Sequence, residues 1–294
     1  MTVTGRTKLV GIIGYPIRHS LSPLMHTAAF EAMDLDYCYI PLEVAPRRIR
    51  SAVKAIRVLG FCGFNVTIPH KRRILAWVDR LTPDARLIGA VNTVEIRHGR
   101  WIGHNTDGRG FLRAFVEETG EPIPGKRVLI LGAGGAARAV AFQWALEGGA
   151  AVMIANRSSA RAAELVRDLR RPPVQCSASV LPWTEASLKA GIRQADIIIN
   201  ATSVGMKPDD PPLLPDGVLG PRHVVCDLIY KPPMTVLLKQ AHASGAKAIN
   251  GLGMLAHQGA LSFEIWTGQR PPIGVMREAL RQGLLGRKGE PTRD

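Results

Sequence analysis

The sequence has no apolar run of about eighteen residues, although 46% of its 294 residues are hydrophobic. Without such a run there is no helix to span a bilayer, and no membrane partner is expected. The stretch Met1 to Lys8 is polar and lacks the long apolar core and small-residue cleavage site of a secretory leader, so none is indicated. Cysteine is scarce. Cys38, Cys62, Cys176 and Cys226 are widely spread, with no C-x-x-C and no clustered histidines. That excludes a disulfide framework and a zinc site, leaves no metal expected, and fits a reducing, cytoplasmic location. The four thiols read as small apolar residues of core strands. Internal repeats are absent, and so are low-complexity tracts apart from a short polar tail after Arg287.

Positive charge, by contrast, is abundant: 38 lysines and arginines stand against 24 acids, a formal charge of +14. The arginines are scattered, with a modest concentration at Arg277, Arg281, Arg287 and Lys288. No basic run is interleaved with aromatics and no nucleic-acid motif is present, so no nucleic-acid partner is expected. The charge suits a phosphate-bearing cofactor and an acidic small molecule, but identifies neither.

The length favours two domains. Strand-like and helix-like segments alternate nearly throughout, the pattern of an α/β protein with largely parallel sheets. Lys8 to Gly14, Tyr37 to Val44 and Phe64 to Ile68 read as strands. Helices are expected from near Pro23, over Arg47 to Leu59, and after Pro69, which is placed to open one. Val91 to Arg97 and Trp101 to His104 flank a hairpin turn at His98-Gly99. A Pro/Gly linker, Glu121 to Gly125, precedes the apolar strand Lys126 to Leu131. Further strands are expected at Val152 to Ala155, Ile197 to Asn200 and Val224 to Leu228. Helices are expected over Ala136 to Leu146, Ala160 to Leu169 and Met234 to Ala243, with closing helices over Met254 to Trp266 and Val275 to Leu285.

The clearest local motif is Gly132-Ala133-Gly134-Gly135-Ala136-Ala137, between the buried strand and a helix. Gly132 allows the tight turn, Gly134 lets the backbone approach a pyrophosphate, and Ala137 permits close helix packing. The helix N-terminus then offers N–H groups and positive dipole charge to phosphates. The next strand ends Asn156-Arg157-Ser158, with Arg161 beyond. An NAD enzyme usually places a carboxylate there for the ribose hydroxyl. Guanidinium groups instead grip a 2′-phosphate with charge-assisted hydrogen bonds, so NADP is expected unless both arginines are simply solvated.

In the first half, Ser20-Leu-Ser22-Pro23 stands before a helix, with Ser22 a natural N-cap and the two hydroxyls a seat for a carboxylate. Capping alone would also explain Ser22 and Pro23. Asn65-Val-Thr67-Ile-Pro69-His70-Lys71 delivers polar side chains from a strand and a lysine to the first turn of the next helix. The dipole there disfavours a cation, which hints at proton exchange unless Lys71 is merely exposed. Asp107, in Asn105-Thr-Asp107-Gly108, either caps the following helix or pairs with Lys71 to shuttle a proton.

Taken in order, these segments resemble the shikimate dehydrogenase family. They are joined by Gly89-Ala-Val-Asn92-Thr93, Asn200-Ala-Thr202-Ser-Val-Gly205-Met206, Asp227-Leu-Ile-Tyr230 and Asn250-Gly251-Leu-Gly-Met254-Leu255-Ala-His-Gln258, so the likeness spans nearly the whole chain. The resemblance implies an α/β fold: a substrate-binding domain with a mostly parallel sheet (1–107 plus 250–294), and a Rossmann domain for NADP(H) (108–249), with the site in a cleft between them. It implies that Ser20 and Ser22, with Tyr230 nearby, bind the substrate carboxylate. Thr67, Asn92 and Gln258 would hold ring hydroxyls, and Lys71 and Asp107 would form the catalytic pair. Gly132 to Ala136, Asn156, Arg157, Ser158, Arg161, Thr202 and Gly251 would hold the cofactor. The implied reaction is NADPH-dependent reduction of 3-dehydroshikimate to shikimate, in chorismate and aromatic amino-acid biosynthesis, by a monomer or homodimer. The family more often has threonine at Ser158, which keeps the hydroxyl. Three rivals remain. A quinate/shikimate dehydrogenase with relaxed cofactor use commonly has an acid near the clasp, absent here. A non-catalytic NADP-binding regulator is disfavoured by the intact Lys71 and Asp107. A folate-type methylene dehydrogenase gives no reason for the double serine.

Overall fold

The computed structural model describes residues 2–286; Met1, the basic residues Arg287 and Lys288, and the polar tail lie outside the described residues. The chain divides into two compact units, Met1–Thr106 with Leu255–Asp294, and Asp107–Met254.

The first unit opens with β1 (Lys8–Gly14), whose inner residues are buried, followed by α1 (Ser22–Ala32) and β2 (Tyr37–Glu43). Next come α2 (Ile49–Val58), β3 (Phe61–Val66), the two-residue β4 (Arg80–Leu81), α3 (Pro83–Ile88), β5 (Thr93–Arg97) and β6 (Arg100–His104). The sheet order is β2-β1-β3-β5-β6-β4. Its first three strands are parallel, while β5 runs antiparallel to both β3 and β6. His98 and Gly99 join β5 to β6 with φ of 49° and 73°, the positive pair that a tight mirror-type turn requires. One core of this unit gathers Ile13, Val53, Ile56, Phe64, Ile74, Val94 and Trp101.

The second unit runs α4 (Asp107–Thr119), β7 (Arg127–Leu131), α5 (Gly135–Leu146), β8 (Ala151–Ala155), α6 (Ser159–Leu169), β9 (Ala178–Leu181), α7 (Glu185–Gln194), β10 (Ile197–Asn200), β11 (Val224–Asp227), α8 (Val236–Ala243) and β12 (Lys247–Ile249). Its strands are ordered β12-β11-β10-β7-β8-β9, all parallel. The order reverses at β7, so β7 and β10 flank a topological switch point, where such sheets hold ligands. The near-continuous apolar runs of β7 and β10 suit strands covered on both faces. The α/β fold with parallel-rich sheets is the one expected from the alternation.

The chain then enters α9 (Leu252–Thr267), which belongs to the first unit from Leu255 on, and ends its described part in α10 (Ile273–Leu285), packed on α1.

Three local expectations are corrected. No α-helix follows Pro69: turns at residues 68–69 and 71–72 lead into only a short 3-10 stretch, Arg73–Ala76. Lys71, Arg72 and Arg73 in succession oppose the dipole of any helix begun there. Ser22 is the first residue of α1 rather than its cap; Leu21 occupies the cap, and the Ser20 hydroxyl accepts the Ser22 N–H at 3.3 Å. Of the cysteines only Cys226 is buried; Cys38 and Cys62 are half-buried in β2 and β3, and Cys176 lies half-buried in the loop before β9.

Candidate active site

In the first unit, the loops at the carboxyl ends of β1 and β3 carry Ser20, Thr67 and Lys71, and Ser22 opens α1 directly after the first of them. Ser22 is buried, whereas Ser20, Thr67 and Lys71 are half-buried. The segment after β3 is pinned from several sides. The Thr67 N–H donates to Ile13 O at 2.9 Å, and Tyr15 N–H to Ile68 O at 2.9 Å. The Lys71 carbonyl accepts from Val91 N–H at 2.8 Å. Buried His70 donates from Nε2 to Val44 O at 2.6 Å, and burial pushes its imidazole pKa below the usual value. His70 thus ties the Lys71 loop to the chain just after β2.

Behind these loops lies a buried polar network with fixed polarity. Thr106 N–H donates to Asn92 Oδ1 at 2.8 Å, so the Asn92 amide nitrogen must face the other way. That Nδ2 donates to Thr106 Oγ1 at 2.8 Å and to Gln258 Oε1 at 3.2 Å. Gln258, on α9, in turn donates Nε2 to Leu255 O at 2.8 Å. Asn65 gives its Nδ2 to Asn92 O (3.2 Å), Thr93 Oγ1 (3.0 Å) and Ser262 Oγ (3.0 Å), while the Tyr39 hydroxyl donates to its Oδ1 at 2.7 Å. Each amide is oriented by a main-chain group that cannot change sign. Sequence-expected Asn92 and Gln258 therefore meet, and the network adds Tyr39, Asn65, Thr93, Thr106 and Ser262, to which sequence reading assigned no role. Asn65 stood in a quoted motif; the serine on α9 gave no local signal.

Beside this network lies His26, fully buried, with its ring stacked on Tyr39 at 4.5 Å between centroids. Among the described residues neither ring nitrogen finds a hydrogen-bond partner, and burial drops its pKa to about 3.

In the second unit, Gly132 directly follows β7 with φ 114°, and a Cβ there would stand 2.9 Å from Ala201 O. Only glycine fits both that angle and that approach. Gly134 caps α5 without a side-chain hydrogen bond, and a Cβ on it would meet nothing within 4 Å. The turn thus leaves open space before the N–H groups of Gly135, Ala136 and Ala137, which is the cradle a pyrophosphate needs, and Ala133 is buried behind it. At the end of β8, Asn156 donates Nδ2 to Ser158 O at 2.9 Å, bending the chain so that Arg157, Ser158 and Arg161 are exposed. Ser158 caps α6 without using its hydroxyl. No carboxylate stands from Asn156 to Arg161, so this strand end fits a phosphate better than a bare ribose.

The loops after β10 and β11 are braced by one buried pair. Asp227 Oδ1 accepts from Asn200 Nδ2 (2.9 Å) and Ile229 N–H (3.0 Å), and Oδ2 from the Thr235 hydroxyl (2.7 Å). Asn200 Oδ1 accepts from both N–H (2.9 Å) and hydroxyl (2.8 Å) of Thr202. Burial holds the Asp227 pKa above the usual carboxylate value, against the pull of these donors. Tyr230 is half-buried one residue past Ile229. Gly251 has no room for a side chain against the Leu228 carbonyl. Asp107, buried, opens α4 in this unit. Among the described residues no cluster of His, Cys, Asp or Glu could hold a metal ion, and no helix is long and apolar enough to cross a membrane.

Comparison with known proteins decides the family. The models for the shikimate dehydrogenase substrate binding domain, shikimate/quinate 5-dehydrogenase and the shikimate 5′-dehydrogenase C-terminal domain match residues 12–94, 115–206 and 251–281. A shikimate dehydrogenase (NADP(+)) of Desulforamulus reducens is 45% identical over 95% of this chain and 97% of its own. The chain belongs to the shikimate dehydrogenase family.

Solved members of that family superpose over nearly the full length. A shikimate dehydrogenase in complex with NADP+ is 44% identical, with a TM-score of 0.86 over 95% of this chain and 96% of its own. Shikimate 5-dehydrogenase from Listeria monocytogenes, in complex with shikimate and NAD, is 42% identical, with a TM-score of 0.87 over 95% and 98%. The family's three matched segments fall on the two units as the fold divides them: the first and last lie mostly in the first unit, the middle one in the second.

Proposed function

We propose that this shikimate dehydrogenase family member catalyses the reversible, NADPH-dependent reduction of 3-dehydroshikimate to shikimate, the step that serves chorismate and aromatic amino-acid biosynthesis. What carries the reading is likeness over the whole chain to enzymes named shikimate dehydrogenase (NADP(+)), joined to a β8 end with two guanidinium groups and no carboxylate. When bound, NADPH supplies a hydride to the C3 carbonyl.

This chain's own residues do the rest. Ser20 and Ser22, with Tyr230, take the substrate carboxylate; the Ser20 hydroxyl already accepts a main-chain N–H and keeps its proton to donate. Thr67, Asn92 and Gln258 hold the ring hydroxyls. At 3.2 Å the Asn92–Gln258 bond is longer than the 2.8 Å bond from Asn92 to Thr106, and it is the one a ring hydroxyl displaces. Lys71, aided by Asp107, gives a proton to the developing alkoxide and takes it back in the reverse direction. Arg157 and Arg161 hold the 2′-phosphate, with Asn156 and Ser158 shaping the clasp. Gly132 to Ala136 receive the pyrophosphate, and Thr202 and Gly251 line the cofactor. We place the enzyme in the cytoplasm as a monomer or homodimer.

The test is nicotinamide absorbance in a two-by-two grid of shikimate or quinate with NADP+ or NAD+. Turnover confined to shikimate with NADP+ is the expected result. Comparable rates with quinate or NAD+ would move the chain to the dual-specificity branch. Silence in all four, with folded protein that binds NADP+, would point to a non-catalytic regulator.

A further inference from the structure

From Val44 to Val78 the sequence holds eight lysines and arginines and no aspartate or glutamate. The fold gathers most of them at one edge. The three loops at the carboxyl ends of β1, β2 and β3 are laced together: Val44 N–H to Gly14 O at 2.9 Å, His70 Nε2 to Val44 O at 2.6 Å, and Arg73 Nη1 to Pro46 O at 3.3 Å. Arg47 and Arg48 follow Pro46 directly and are exposed, as are Arg72 and Arg73 on the neighbouring loop. Arg50, Lys54 and Arg57 continue the charge along one stripe of α2, at i, i+4 and i+7, a reach of about 10 Å. Arg50 is propped against the Trp77 ring at 5.9 Å. Arg57 is spent on Asp79 at 3.2 Å and lies over Trp101, and Glu43, at the end of β2, accepts Ile17 N–H with its Oε2. Arg47, Arg48, Arg50, Lys54 and Arg73 outnumber these two carboxylates.

Helix stability does not explain the arrangement. Arg47, Arg48 and Arg50 crowd the N-terminus of α2, where the dipole favours anions, and α2 has no acid in its first turn. The same edge carries Ser20, Ser22, Thr67 and Lys71.

We propose that this cation-rich face, Arg47, Arg48, Arg50 and Lys54 with Arg73, is an electrostatic funnel that draws the carboxylate-bearing substrate toward Lys71. The inference rests on the substrate reading above and adds to it a role for residues that never touch bound substrate. Lined clefts of one sign raise the local concentration and arrival rate of an oppositely charged ligand, and the effect decays with salt.

The test compares wild type with R47E/R48E/K54E and R47Q/R48Q/K54Q at saturating NADPH, measuring kcat and kcat/KM for 3-dehydroshikimate across ionic strength. At low salt the glutamate variant should lose about 3- to 10-fold in kcat/KM, and the glutamine variant less, with kcat unchanged in both. The gap should close near ~0.5 M salt, where the Debye length is only a few ångströms. Parallel salt profiles for wild type and variants overturn the funnel and leave the reaction standing. A loss of kcat that salt does not relieve also overturns it, since that marks structural damage. A wild type with no turnover of 3-dehydroshikimate overturns the substrate reading and this inference with it.

Discussion

Asp227→Ala removes one carboxylate that serves three donors in two loops. Asn200 Nδ2 keeps the Val204 carbonyl at 3.1 Å, but Ile229 N–H and the Thr235 hydroxyl lose their acceptor in a buried place. A stranded buried donor costs roughly 1–3 kcal/mol, so two cost about 2–6 kcal/mol. Burial already disfavours the charged carboxylate, and losing that burden offsets part, for a net loss of about 3 kcal/mol. Against a domain stability of roughly 5–15 kcal/mol the loss is large. Asp227→Asn is different. Its Oδ1 can keep Asn200 and Ile229, and its Nδ2 can donate to Thr235 Oγ1, so the expected cost is about 1 kcal/mol. Denaturant unfolding at constant m-value reads both. Acidity gives a second handle. The native carboxyl has a raised pKa, so the folded state binds a proton more readily than the unfolded chain. The Asp227 contribution therefore weakens as pH rises from about 4 through that raised pKa. The lead of wild type over Asp227→Asn should shrink over the same window. An alanine variant as stable as wild type, or an asparagine variant as damaged as alanine, would refute the reasoning.

Lys71→Ala should cut turnover by about 10²–10⁴-fold with NADP+ affinity nearly unchanged, checked by steady-state kinetics and cofactor titration; wild-type turnover would remove the role given to Lys71. Arg157→Ala should weaken NADP+ far more than NAD+ in binding isotherms, and equal losses would dismiss the phosphate clasp. His26 has a native pKa of about 3 against an ordinary 6.5, so the stability it contributes is complete above pH 6.5 and is lost as pH falls toward 3. His26→Phe should flatten the pH dependence of the unfolding midpoint below 6.5; an unchanged slope would mean another group governs it.

Regular elements with strong patterning were legible from residues alone. β1 and β10 fall on their expected bounds, and the His98-Gly99 turn was readable because few other pairs accept two positive φ values. The helix expected after Pro69 was misread because proline placement spoke louder than the charge of Lys71, Arg72 and Arg73. β9 and β12 escaped notice: they are short, at or near the edges of their sheet, and alternate poorly. At the site, the glycine turn after β7 and the exposed arginines after β8 are local in sequence, and their place could be read. The orientation of Asn65, Asn92 and Gln258 could not, because it depends on groups such as Thr106 N–H and Leu255 O. Ser262, 197 positions from Asn65, meets it only once the fold is complete.

The interruption of one unit by the other bears on how the chain is made. Residues 107–254 emerge from the ribosome as an unbroken stretch that can form its parallel sheet as soon as it is exposed. The first unit has no such freedom. Its early strands leave the tunnel first, yet the serine that answers Asn65, the glutamine that answers Asn92 and the Trp266 indole that donates to Val94 O all lie on α9. For the time needed to translate some 150 residues, the strands translated first wait with those positions unfilled, holding Asn65 and Val94 O open to water or to a chaperone. The segment translated first is therefore the last to become native, and a stall in translation between the two units would leave a finished second unit attached to an unfinished first one.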